Sequence, residues 1–154
     1  MHRHSNLQPP MLGLGRLSIG VCVMLGLERY SAQLLSILRI MAGALFLEHG
    51  TSKLLHIPHV AMFDHPLPPM LLAAGIIELV GGFLITIGLW TRIAAFICSG
   101  EMAIAYFQYH VRMGRSIFPA QNEGDAAVLF CFVFLFLVAA GAGPWSVDAL
   151  RKKN

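Results

Sequence analysis

Apolar residues run along this chain in four long stretches, broken by single ionisable residues and separated by short polar or proline-bearing links. The stretches cover residues 32–55, 69–90, 93–110 and 126–143. Each holds about 17–24 residues, enough for a helix to cross a hydrocarbon core of about 30 Å. In the last stretch Phe130, Phe132, Phe134 and Phe136 alternate as in a strand. Unbroken length and the lack of polar partners favour a helix, because lipid leaves an open strand edge unpaired.

Links of about 13, two and 15 residues make consecutive helices antiparallel neighbours. The pattern therefore predicts an all-α polytopic membrane protein, an up-and-down bundle of four transmembrane helices over residues 32–150. Residues 1–31 form a cytoplasmic tail with an apolar, potentially amphipathic segment, and 151–154 a basic cytoplasmic tail. Arg3, Arg16, Arg29, Arg92, Arg151, Lys152 and Lys153 fall on the side of both termini, against Lys53, Arg112 and Arg115 on the other. The richer side is cytoplasmic. Residues 11–27, with Arg16 and four glycines, read as a surface-lying or loosely docked helix. A fifth span and a later start at Met24 are the alternatives, and no small-x-small cleavage site precedes Arg29 to support a signal peptide.

Composition agrees with this class. The 154 residues are 56% hydrophobic and 12% charged, against about 25% charged in soluble domains. Mean hydropathy is +0.68. Disorder and a separate soluble catalytic domain are both excluded. The net charge is +3, yet Arg16, Arg29, Arg39, Arg92 and Arg112 stand alone and form no basic stripe, so the partner is a lipid bilayer and not nucleic acid.

Cys22, Cys98 and Cys131 are distant in sequence and form no C-x-x-C motif. The span map puts Cys98 and Cys131 at different depths, so they read as small packing residues. His56, His59, Asp64 and His65 cluster in one link, but their spacing matches no zinc motif. Prolines 58, 66, 68 and 69 make that link a kinked interfacial loop, and no metal is assigned.

Arg39, Glu48, His49, Glu78 and Glu101 lie within the spans. A charge near mid-bilayer costs about 2.5–3.5 kcal/mol on insertion scales, so each needs a partner or a purpose. At 100° per residue Arg39, Gly43, Phe46, Gly50 and Lys53 share one stripe, with His49 at its margin and Glu48 opposite. Glu78 is flanked by Gly75 and Gly82, and Glu101 lies on a stripe with Ala94, Cys98, Ala105 and Gln108. Small residues mark close helix contact, so both carboxylates should face protein. Arg39 is then expected within reach of a carboxylate. The groups either fix helix packing or line a pocket for a quinone head group or for protons.

The blocks around these residues resemble the DoxX family. They are Arg39-x9-His49-Gly50-x2-Lys53-Leu54, Ala74-Gly75-Ile76-Ile77-Glu78-Leu79-Val80-Gly81-Gly82, Gly88-Leu89-Trp90-Thr91-Arg92 and Ser99-Gly100-Glu101-Met102-Ala103. Further along come Phe118-Pro119, Asn122-x-Gly124-Asp125 and Gly143-Pro144-Trp145-Ser146-Val147-Asp148. The resemblance spans about residues 34–150, with Asp125 where the family usually has Glu. It implies a four-helix protein of the bacterial inner membrane and a membrane subunit of a quinone-linked oxidoreductase system. Its polar site would comprise Arg39, His49, Lys53, Glu78, Arg92, Glu101, His110 and Asn122. The chain carries no haem, flavin or Fe–S signature, so electrons would come from redox partner subunits, and a homo-oligomer stays open. The competing readings are a small-solute or proton carrier and a non-catalytic structural or assembly subunit.

Overall fold

The computed structural model describes residues 26–114 and 116–152. The apolar segment at 11–27, with its alternatives, falls almost wholly outside them. Every regular element among the described residues is helical. A 3₁₀ turn occupies Leu27–Tyr30. Helix α1 is Ser31–Leu55, and α2 is Pro69–Ile87. Helix α3, Thr91–Ala105, continues through a π-helical segment, Tyr106–Val111, into Arg112–Gly114. A single turn, α4 (Pro119–Asn122), leads into α5 (Asp125–Ala140), and α6 (Val147–Arg151) closes the chain.

Local chemistry sets the ends. Pro69 opens α2 because the first helical position needs no amide hydrogen. Gly88, at φ 72°, closes it in the left-handed conformation that glycine adopts without strain. The apolar pattern ran on to residue 90, but the backbone turns two residues earlier. Gly141 at φ 86° likewise stops α5 before the pattern does.

The four long helices pack as antiparallel neighbours, which the residue pairs show directly. A Cβ on Gly43 would fall 2.7 Å from the Thr86 backbone nitrogen, and one on Gly82 would fall 2.7 Å from Leu47 Cα. These glycines let α1 and α2 approach backbone to backbone. Gly81 meets Cys98 between α2 and α3. Ser99 Oγ donates to the Cys131 carbonyl at 2.9 Å between α3 and α5. Phe46 closes the ring, with its centroid 4.8 Å from Phe134 and 5.7 Å from Phe130. Phe134 is fully buried while Phe132 and Phe136 are exposed, a helical distribution that disposes of the strand-like alternation.

The Ser99–Cys131 bond also corrects the sequence expectation for the cysteines. Cys98 and Cys131 sit at one level of the bundle, and both are free thiols. Gln108 departs from its stripe as well: Ala94 and Cys98 are buried, but Gln108 is exposed. It lies inside the π-helical segment, whose wider turn rotates the helix face.

Polarity is arranged inside out. Arg39, Ser36 and Thr91 are fully buried and Glu78 nearly so, while Leu38, Phe83, Ile93 and Phe132 face outward. Two helices, Glu28–Leu55 and Pro69–Ile87, are long and apolar enough to cross a membrane. Only 28% of each apolar window is buried, whereas the core helix of a soluble protein would be mostly covered. Helix α5 is apolar but has 16 residues.

Candidate functional site

The predicted polar residues occupy three places. At one end of the bundle Arg39 projects from α1 among backbone carbonyls. Its Nε donates to Ala142 at 2.8 Å, and its Nη1 donates to Ile85 at 2.7 Å and to Thr86 at 2.5 Å. Its Nη2 donates to the Trp145 carbonyl. Ile85 and Thr86 belong to the last turn of α2, whose carbonyls have no partner within the helix. The expected carboxylate partner for Arg39 is therefore replaced by four carbonyls, which the planar guanidinium can reach at once. Arg92 acts similarly on α5, bonding Val138 and, at 2.8 Å, Ala139.

Asp148 completes this end, a role that sequence reasoning missed. Its carboxylate accepts from the Trp90 and Thr91 amides at 2.9 Å each and so caps α3 from a distant part of the chain. Ser146 caps α6 by accepting from the Ala149 amide at 3.1 Å. The run Ser146-Val147-Asp148 carried the signal of a helix start, but not that its acid would serve another helix. Burial works to raise the Asp148 carboxyl, yet the two amide donors and Arg151 outweigh it and hold it below the ordinary carboxylate range. A depressed folded pKa gives stability that is present above the unfolded value and lost as pH falls through the folded one. Asp148→Asn should thus lower stability by about 1–2 kcal/mol at neutral pH. In melting curves its deficit against wild type should shrink below about pH 4; a gap independent of pH would rule out the charge as the cause.

The second place lies between α1, α2 and α3. Lys53 Nζ donates to Glu78 Oε1 at 2.5 Å, with the two side chains 12% and 3% exposed. Lys53 thus lies inside the bundle, on the stripe with Arg39 and Gly50, while the charge count takes it as the outer boundary of the span. Gly81 against Cys98 sets the register of α2 and α3, so three residues further on Glu78 faces Glu101. The Oε2 atoms of both carboxylates are buried without a hydrogen-bond partner. Glu101 is the less covered of the two. His49, expected among the buried groups, is exposed and stands edge-on to Phe130 at 6.2 Å. It sits on the outer margin of the α1 stripe, as its wheel position implied.

The third place is the opposite end, where the π-helical segment meets α4. His110 Nδ1 lies 3.0 Å from the Asn122 carbonyl. Asn122 Nδ2 donates to Ser116 O at 2.9 Å, and Asn122 Oδ1 accepts from the Gly124 amide at 2.9 Å. A cavity of about 250 Å³ adjoins His110 and Asn122. In the histidine-bearing link His59 Nε2 bonds Asp64 Oδ1 at 2.9 Å, both exposed. Among the described residues no three His, Cys, Asp or Glu side chains converge as a metal site.

The DoxX family profile matches residues 34–111. An uncharacterized protein of Haemophilus influenzae is 45% identical over 129 residues, covering 79% of this chain and 93% of the relative. No solved structure matches. The family and the two apolar helices support a membrane protein. With a profile spanning α1 to the π-helical segment and a relative matched over nearly its whole length, the chain belongs to the DoxX family.

Proposed function

We propose that this chain is a multi-pass inner-membrane protein with four spanning helices and cytoplasmic termini, the membrane subunit of a quinone-linked redox system. The observation that carries the reading is the facing pair Glu78 and Glu101, each with an unpartnered buried oxygen, with one cation, Lys53, bonded to Glu78. Buried polar atoms without partners call for a ligand, and ionisable groups inside a bilayer mark sites of function. A quinol hydroxyl can donate to such an oxygen.

Oxidation of a quinol releases two protons and two electrons. Lys53 offsets the charge of Glu78, so Glu101 takes the two protons in turn, passing the first on before it accepts the second. The electrons leave to a redox centre in a partner subunit. Approach is from the Glu101 side, since Glu78 is the deeper of the two. His110 and Asn122, at the far end, lie outside this pocket.

Binding of a ubiquinone or menaquinone analogue to the purified protein tests the proposal. Glu78→Gln and Glu101→Gln should each weaken it at least about tenfold, the loss of one charge-assisted hydrogen bond. Affinities unchanged in both variants would remove the site. If instead proteoliposomes carry a proton flux that Glu101→Gln abolishes without any quinone, the same pair serves a proton carrier.

A further inference from the structure

A second feature of the molecule lies outside the carboxylate pair. Where α3 begins and α6 ends, an open cavity of about 590 Å³ is lined by Arg92, Arg151 and Lys152, all three exposed. The one acid on its wall, Asp148, already accepts two backbone amide bonds. The cavity therefore presents an excess of positive charge. Arg92 uses Nη1 for its two carbonyls among the described residues, which holds the guanidinium in place while its Nη2 remains a donor. Beside these cations the wall turns apolar. Trp90 is 57% exposed and Ile93 66% exposed at the first turn of α3, on the side of the bundle that carries outward-facing Phe96 and Ile97.

The geometry points to a headgroup site for an anionic phospholipid at this end of the bundle, its phosphate on Arg92, Arg151 and Lys152 and its acyl chains along Trp90 and Ile93. Each part has a physical reason. Basic pockets at the end of a helix bundle attract anionic lipid headgroups, at a strength set by the number of cations near the surface. Tryptophan favours the boundary between headgroups and acyl chains. A soluble phosphate would satisfy the cations but would leave the exposed apolar flank uncovered. The lipid class follows from charge: a zwitterionic headgroup would bring its own cation against the three on the wall. The inference rests on the membrane reading of the chain and is independent of the quinone site.

The test uses the full-length protein in detergent with phosphatidylglycerol or phosphatidylcholine carrying brominated chains, read by quenching of Trp90 and Trp145, the two tryptophans of the chain. Phosphatidylglycerol should quench at a concentration at least about tenfold lower than phosphatidylcholine. Arg151→Gln with Lys152→Gln should weaken it about fivefold for each cation removed, as expected for surface charges. Both side chains are exposed, so helicity by circular dichroism should be unchanged. Equal quenching by the two lipids, or a preference that survives in the double variant, would overturn the inference. Displacement of the lipid by millimolar glycerol 3-phosphate would assign the cavity to a soluble phosphate instead. Glu101→Gln should leave lipid quenching intact, so failure at the carboxylate pair and failure here are told apart.

Discussion

Arg39→Ala should destabilise the protein by about 3–5 kcal/mol, the loss of several hydrogen bonds to a charged group at about 1.5–3 kcal/mol each, less what relaxation recovers. The guanidinium is 0% exposed and binds four carbonyls from the end of α2 and the segment after α5. Alanine would leave the Thr86, Ala142 and Trp145 carbonyls without this donor, at about 1–3 kcal/mol each before relaxation, while Ile85 O keeps the Gly88 amide at 3.1 Å. Water can reach some of them once the site opens, which is why the total stays below the sum. Arg39→Lys keeps the charge but offers one nitrogen in place of a planar fork, so it should recover only part of the loss. Reversible unfolding in mixed micelles measures both, with the outward-facing Glu48→Ala as control. An Arg39→Ala midpoint no lower than that of the control would show that the end of the bundle holds without its staple.

Glu78→Leu is the second large effect, and its logic differs. The substitution removes the partner of Lys53 while the ammonium stays mostly covered, which should cost about 3–5 kcal/mol. Adding Lys53→Met to the same protein removes the stranded charge. The double variant should then recover most of the stability, because a buried ion pair and an apolar pair of similar size are often near equal. The interaction energy from such a cycle separates the pair from its surroundings. If the single and double variants unfold together, Lys53 reaches solvent once its partner is gone. Quinone binding should stay lost in the double variant even where stability returns, which divides the structural role of the pair from its chemical one.

Much of the architecture was legible because it is local. A helix places every third or fourth residue on one face, so the stripe of Arg39, Gly43, Phe46, Gly50 and Lys53 could be drawn from spacing alone, and these residues do face inward. The same holds for Glu48, which faces outward. Helix ends were less legible: Gly88 and Gly141 stop α2 and α5 before the apolar pattern stops, since hydropathy persists where backbone conformation changes. Gln108 was misplaced for a related reason, because a π-helical turn shifts every later residue around the axis and hydropathy does not signal it.

What the chain by itself determined is the set of helices, their inward faces and the choice of ionisable residues kept on them, all of which follow from one helix at a time. Partnership depends on how far one helix slides along another, and that came from the tertiary structure. Glycine contacts set the depth at which α1, α2 and α3 meet, and that depth gave Lys53 to Glu78, put Glu101 opposite Glu78, and sent Arg39 to carbonyls at the end of α2 instead of to an acid. Asp148 reached α3 only through the fold of the last loop, since a cap supplied across 57 residues of sequence leaves no periodic trace in the residues between.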